Sequence, residues 1–414
     1  MLRSLYGLAQ SPKNWFDTLT AFLIKLGCWL IGFSGCVYGY KRGSSLMLLC
    51  IYVDDAAIAS NDESLLQEFV TELRKHFDVS ESEDIKWYLS VHYQRDVKKG
   101  VTTANQSKFA RSFLSLFDML DATPVVTPME PHTHFEPAAE DDLAPSWAGV
   151  VYRCGLGKAQ YLCQWTRPDL AYTVGCLALY ASKPGWTHIA GLRRLLQYLA
   201  GTAAFGIRWV REGVLKNVIY GDVDASWADC PTTRRGTSGY VFFMKGGPID
   251  WKSKKQDCIG LSSVETEYIA FCKAVVTIMD LRYMIRDLFE QNESWADDSI
   301  NDPTILFEDS TGVLAMTRNR VRSERSKHID MRVLFCRERV LDGTIKLVYC
   351  PTARMLADFL TKALSGPAFI AGRNETMQPG EVRLMEDARV IAQALTEHCQ
   401  EVEDGVFDVC KLED

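Results

Sequence analysis

The chain has 414 residues, 47% of them hydrophobic and 24% charged, with a formal charge of −7. This is ordinary globular composition, long enough for roughly two or three cores, and it excludes disorder as the default state. The thirteen cysteines form no C-x-x-C pair, no signal-peptide pattern opens the sequence, and the longest apolar run, Leu46 to Val53, is too short for a membrane span; an intracellular protein with reduced thiols and no cysteine-bound zinc is therefore expected.

In chain order, Leu46 to Tyr52 reads as an apolar strand, Val53 to Asp55 as a tight turn and Ala57 to Ser60 as the return strand. Adjacent carboxylates at such a tip, Asp54 and Asp55, suit metal binding for phosphoryl transfer, although aspartate is also an ordinary turn former. Phe69 to Phe77, Lys86 to Tyr93 and Phe109 to Met119 then read as helix, strand pair and helix. Pro124, Pro128, Pro131, Pro137 and Pro145 punctuate a stretch without periodicity, a linker signature that closes the first domain. Beyond it, Val150 to Cys163, Pro168 to Ala181 and Thr187 to Ala200 read as packing helices, the third with Thr187 as N-cap and Gly201 past its end.

From Ile219 onward the pattern changes. I-Y-G-D-V-D-A-S-W, T-S-G-Y-V-F-F and P-I-D-W-K-S-K-K-Q are short β-branched and aromatic runs of an antiparallel meander, and L-S-S-V-E-T-E-Y starts a helix, with Ser262 and Glu265 spaced as a capping box. Glu265 and Glu267, two apart on a helix, point to opposite sides; with Glu265 occupied by the cap, Glu267 is left for a site. Asp222 and Asp224 share a strand face, and both could approach a metal. Thr304 to Phe307 is a strand ending in Glu308-Asp309, whose side chains alternate faces so that one points away, and Pro351-Thr352-Ala353 opens a helix carrying Asp358. Carboxylates at element ends of an α/β pattern can converge at the edge of a sheet, and such a cluster calls for a hard divalent cation, Mg²⁺ or Mn²⁺.

The charge distribution fits this picture. Glu381 to Asp414 contains ten acidic and three basic residues, which accounts for the whole imbalance and leaves the remainder neutral. Within that remainder, basic residues bunch at Arg234 and Arg235, at Lys252, Lys254 and Lys255, and from Arg318 through Arg325 to Lys327. Each bunch alone reads equally well as solvated surface; that all three flank the acidic positions favours phosphate contact.

The motifs D-A-S-W-A-D-C-P-T-T-R-R-G-T-S-G-Y, W-K-S-K-K-Q, L-S-S-V-E-T-E-Y, S-K-H-I-D-M-R and L-A-D-F-L-T-K, in order over Val218 to Leu364, resemble the ribonuclease H domain of copia-type retrotransposon Pol polyproteins. Upstream, L-Y-G-L-A-Q-S-P-K-N-W and Y-V-D-D-A-A-I-A-S resemble the reverse transcriptase of the same polyprotein. Two departures stand out: Ser90 where the family usually has Gly, and Ala9 where it usually has a basic residue. The resemblance implies an α/β and α+β multidomain chain: partial polymerase palm and thumb (1–123, fingers missing), Pro-rich linker (124–147), helical connection (148–212), a ribonuclease H-like mixed β-sheet flanked by helices (213–366) and an acidic tail of unknown role (367–414).

It selects Asp224 over Asp222, which is then expected as an exposed neighbour, and Glu267, Asp309 and Asp358 as the other ligands of two Mg²⁺ (or Mn²⁺) ions, about 4 Å apart in chemistry of this kind. His328 and Asp330 are expected to be structural. The implied reaction is endonucleolytic hydrolysis of RNA in RNA–DNA hybrids, with Arg234, Arg235, Lys252, Lys254, Lys255, Arg325 and Lys327 contacting nucleic acid. With Ser4-Leu5-Tyr6-Gly7 so close to Met1, an upstream polymerase acid is expected to be missing, and Asp54 and Asp55 to form an inactive remnant. Primer-template and other Pol or Gag chains are implied partners, in cytoplasmic particles or the nucleus. The alternative is a decayed or repurposed fragment that binds nucleic acid or a partner without catalysis.

Overall fold

The computed structural model describes residues 8–80, 85–210, 219–289, 302–318 and 330–403. The chain divides into two compact units, 1–88 with 278–300 and 89–277 with 301–414.

The first unit contains α1 (Ser11–Lys25), β1 (Trp29–Leu30), β2 (Val37–Arg42), β3 (Ser45–Tyr52), β4 (Asp55–Ser60), α2 (Glu63–Arg74) and β5 (Trp87–Tyr88). Strands β1 to β4 pair antiparallel in sequence order. Helix α2 starts where the Asp62 carboxylate accepts the free N–H groups of Ser64 and Leu65. Its Leu65, Phe69 and Leu73 recur at helical spacing and pack with Met47, Leu49 and Ile51, the inward-facing alternate residues of β3. Tyr52 lies opposite Asp55, so the expected hairpin forms with Val53 and Asp54 as its turn.

The second unit opens with β6 (Val91–Asp96), β7 (Val101–Asn105), α3 (Ser107–Leu116), α4 (Ser146–Trp165), α5 (Ala171–Ala178), α6 (Trp186–Thr202) and β8 (Gly206–Val210). Strands β6, β7 and β8 are antiparallel neighbours. The Pro-rich stretch 124–147 belongs inside this unit, with Met129 and Phe135 buried in its core. Proline content reports backbone stiffness and missing donors, and says nothing about whether the few apolar residues between the prolines find a core. Helix α6 buries Leu192, Leu195, Leu196 and Leu199 as its periodicity predicted, but starts one residue earlier than expected and runs through Gly201. The Thr187 hydroxyl donates instead to Asp142, at 3.0 Å.

The remaining elements are β9 (Tyr220–Ser226), β10 (Thr237–Met244), β11 (Gly247–Lys255), α7 (Ser263–Phe289), β12 (Thr304–Glu308), α8 (Thr311–Arg318), α9 (Asp330–Leu341), β13 (Ile345–Tyr349), α10 (Gly366–Met377) and α11 (Glu381–Glu403). They build a five-stranded mixed sheet ordered β11-β10-β9-β12-β13. The first three strands are the predicted antiparallel meander, while β12 runs parallel to both β9 and β13. This is the ribonuclease H-like mixed sheet flanked by helices that the motifs implied.

Two features hold the unit together beyond the sheet. Arg167, 1% exposed, forms a two-pronged ion pair with Asp169, whose Oδ2 also accepts from Tyr198 at 2.6 Å; Arg373 of α10 donates to the same Tyr198 hydroxyl at 3.2 Å. The residues expected as a tail are helical through Glu403, with Phe369, Ala388, Ile391 and Ala394 in the common core. Their acidity is spent locally: Arg383 pairs with Asp387 at 2.9 Å and Glu375 at 3.4 Å, and Arg354 pairs with Glu386 at 3.0 Å.

Candidate metal centre and nucleic-acid interface

Each acidic position arrives by a separate local cause. Asp224 is on the central strand β9, directly opposite Gly239 of β10. Glu267 lies in the first turns of α7, where the Ser262 hydroxyl accepts the Glu265 N–H at 3.2 Å and the Glu265 carboxylate accepts the Leu261 N–H at 2.8 Å. The Ser262 half of the expected capping box therefore forms, while the Glu265 carboxylate turns back to Leu261, one residue before the cap, which takes Glu265 out of the site. Gln256, the last residue of W-K-S-K-K-Q and 1% exposed, donates to the Thr266 carbonyl at 2.9 Å and the Ser238 hydroxyl at 3.0 Å. It clamps the start of α7, and hence Glu267, to the sheet.

Asp309 follows the last residue of β12, and its Oδ2 accepts from the Thr352 hydroxyl at 2.6 Å. Asp358 stands on a 3-10 turn, Leu356–Leu360, rather than on the expected α-helix; a second short turn, Thr352–Arg354, is separated from it by Met355 in an extended conformation. That turn lies against β10 because Gly239 has no side chain: a Cβ there would come within 2.6 Å of Thr361 and 2.9 Å of Leu360.

Ligand oxygens of Asp224, Glu267 and Asp309 lie within 4.8 Å of one another. Asp358 borders them through a cation that the sequence motifs contained but did not single out. The Lys362 ammonium is 2.8 Å from Asp358 and 3.9 Å from Asp224, whose Oδ2 also accepts from Thr361. Burial, then the charges of Asp224, Glu308 and Asp309, push Glu267 up to about 10. Burial raises Asp224 to about 6, with Lys362 opposing and Asp358 adding to the rise. Burial also raises Asp358, against the pull of Lys362. The shielded Oε2 of Glu267 and of Glu308 have no hydrogen-bond partner. Crowded carboxyls that resist ionising, with buried oxygens lacking donors, fit a hard divalent cation.

One neighbour differs from expectation. Asp222 is not exposed: it is 1% accessible, accepts from the Leu356 N–H at 3.1 Å, and burial pushes it up to about 7 although Arg383 opposes this. It faces the same side of β9 as Asp224 but meets the chain at Leu356 instead of open space. Glu308, which is not one of the three clustered acids, is completely buried; its Oε1 accepts the Ser310 N–H at 3.0 Å, and its charge adds to the rise of Glu267.

Among the basic residues, Arg234, Arg235, Lys252 and Lys254 are exposed, whereas Lys255 is only 18% exposed and held by Asp229 at 3.0 Å. Arg325, Lys327 and His328 lie outside the described residues, as does the side chain of Asp330. Asp54 and Asp55 are exposed at the β3–β4 turn, and no third Asp, Glu, His or Cys ligand joins them among the described residues. Ser90, standing where the family usually has Gly, has φ 59°. No described helix is long and apolar enough to cross a membrane.

Residues 1–131 match the family described as reverse transcriptase (RNA-dependent DNA polymerase). The retrovirus-related Pol polyprotein from transposon RE2 of Arabidopsis thaliana is 32% identical over 369 residues, covering 89% of this chain and 24% of its own length. That from transposon TNT 1-94 of Nicotiana tabacum is 30% identical over 87% of this chain and 27% of its own. The secreted RxLR effector protein 161 of Plasmopara viticola is 46% identical over 125 residues, 30% of this chain and 87% of that protein. Among solved structures, LC11-RNase H1, isolated from compost, aligns over 35% of this chain and 94% of its own at 14% identity, with a TM-score of 0.26. The chain spans about a quarter of the length of the polyproteins it matches. With a reverse transcriptase match at one end, Pol relatives along most of its length and the mixed sheet with its acidic edge, the chain belongs to the copia-type retrotransposon Pol family.

Proposed function

We propose that the second unit hydrolyses the RNA strand of RNA–DNA hybrids in a divalent-metal-dependent reaction. The observation that carries this reading is the meeting of Asp224, Glu267 and Asp309 within 4.8 Å, with Asp358 at their border, from four separate segments of the chain. Bound there, Mg²⁺ or Mn²⁺ would activate water and stabilise the departing oxygen, chemistry that needs no side-chain nucleophile. Asp224, Glu267, Asp309 and Asp358 supply the oxygens. The Thr352 and Thr361 hydroxyls orient Asp309 and Asp224, and the Gln256 clamp fixes the first turn of α7. Exposed Arg234, Arg235, Lys252 and Lys254 are proposed to contact backbone phosphates, which makes binding fall as salt rises.

The test is a labelled hybrid incubated with the protein in Mg²⁺, in Mn²⁺ and in EDTA. Cleavage in the first two and none in the third, abolished by Glu267→Gln, is expected; equal cleavage by Glu267→Gln would refute the assignment. A second reading, that the chain is a repurposed fragment binding nucleic acid or a partner without catalysis, is favoured by its similarity to a protein named as a secreted effector. No cleavage in either metal, with or without hybrid binding, is the outcome that reading requires.

A further inference from the structure

The Lys362 ammonium has no place in a set of four carboxylates that only hold metal. It belongs to the same short segment as Asp358, four residues on, at 2.8 Å from Asp358 and 3.9 Å from Asp224. The side chain is 42% exposed, so solvent is open to it and the ammonium can leave without disturbing the core. Thr361 beside it is fully buried and tied to Asp224, which fixes the backbone from which Lys362 projects. Glu267, by contrast, has no counter-cation at hydrogen-bond distance of its shielded oxygen.

Resting on the reading above, we propose that Lys362 is a built-in counter-ion that stands in for one divalent cation. It neutralises the Asp224–Asp358 side while the site is metal-free. One ion then enters readily among Asp224, Glu267 and Asp309, and a second must displace the ammonium from Asp358. Two positive charges cannot share Asp358 at contact distance without strong repulsion in a partly buried site. Lys362 would thus set the threshold for the second ion and keep the cluster folded before any ion arrives.

Mn²⁺ binding to the whole chain, followed by calorimetry and by electron paramagnetic resonance of free Mn²⁺, tests this without reference to cleavage. Lys362→Met is expected to bind the second Mn²⁺ at least about tenfold more tightly than the native chain, because the competing charge is gone. Lys362→Arg should keep the native two-step isotherm. In EDTA, Lys362→Met should melt at a lower temperature than the native protein, and the gap should close in excess Mn²⁺. Should the Met variant prove too unstable to purify, Asp358→Asn gives the complementary reading: its second binding step disappears while the first remains. Unchanged or weaker Mn²⁺ binding in Lys362→Met overturns the proposal, since a purely structural lysine would support the ligands instead of competing for them. Absence of Mn²⁺ binding in every form overturns it too. Failure of hybrid cleavage with intact Mn²⁺ steps would count only against the hydrolytic reading.

Discussion

Glu265 and Glu267 are two residues apart on one helix, yet one accepts a backbone N–H at 2.8 Å and the other joins an acidic cluster. Glutamine serves a capping box as well as glutamate does, so Glu265→Gln is expected to keep cleavage, while Glu265→Ala should cost about 1 kcal/mol in urea unfolding. Glu267→Gln should instead remove cleavage and raise metal-free stability. The last point follows from linkage. Glu267 and Asp224 hold protons up to about 10 and about 6 in the folded chain, above the values for exposed carboxyls. The native state then binds more protons than the unfolded state, so these groups oppose folding increasingly as pH rises from about 4 through those values. Melting temperature in EDTA should therefore fall between about pH 5 and pH 8 by less in Glu267→Gln than in the native chain, and Mn²⁺ should restore more stability at the higher pH. Parallel melting curves for the two proteins would show that Glu267 is not raised.

At the scale of elements, what the sequence marks as punctuation often turns out to be packing. The Pro-rich stretch carries Met129 and Phe135 into the core, and the Arg167–Asp169 pair ties the segment between α4 and α5 to Tyr198 of α6. Asp169→Asn leaves a 1% exposed guanidinium without its counter-charge and should destabilise the second unit by about 3 kcal/mol, read from the urea midpoint. Ser90 holds a left-handed conformation at φ 59°, which costs a residue with a side chain about 1 kcal/mol. Ser90→Gly should return most of that, less the entropy that glycine loses on folding. A drop in midpoint would mean that the Ser90 side chain makes compensating contacts.

Across the whole second unit, α10 and α11 share one apolar core with α3 to α6 and the mixed sheet. Ending the chain at Leu364 would strip Phe369, Ala388, Ile391 and Ala394 from that core and leave Tyr198 without Arg373. A loss of roughly 5 kcal/mol follows from the burial forfeited, enough to unfold a marginal domain at growth temperature. An unchanged urea midpoint on truncation would make the two helices an appendage after all.

The meander, the helix that bears Glu267 and the hairpin bearing Asp54 and Asp55 are legible in residue order, because they depend on contacts between near neighbours: strand alternation, a cap three residues away, a turn of two residues; between Asp222 and Asp224, and between Glu308 and Asp309, only the family resemblance chooses. The same locality explains the misreadings. Asp222 reads as exposed because its partner, Leu356, is 134 residues away, and residues 367–403 read as a tail because net acidity conceals how Arg383 pairs with Asp387 and Glu375. Lys362 ends the L-A-D-F-L-T-K motif, but only the fold of the 356–362 segment over Gly239 brings its ammonium to Asp224 and Asp358. Local propensity and pattern determined which elements form; distance through space, which charge and burial obey and sequence separation does not, decided which side chains meet.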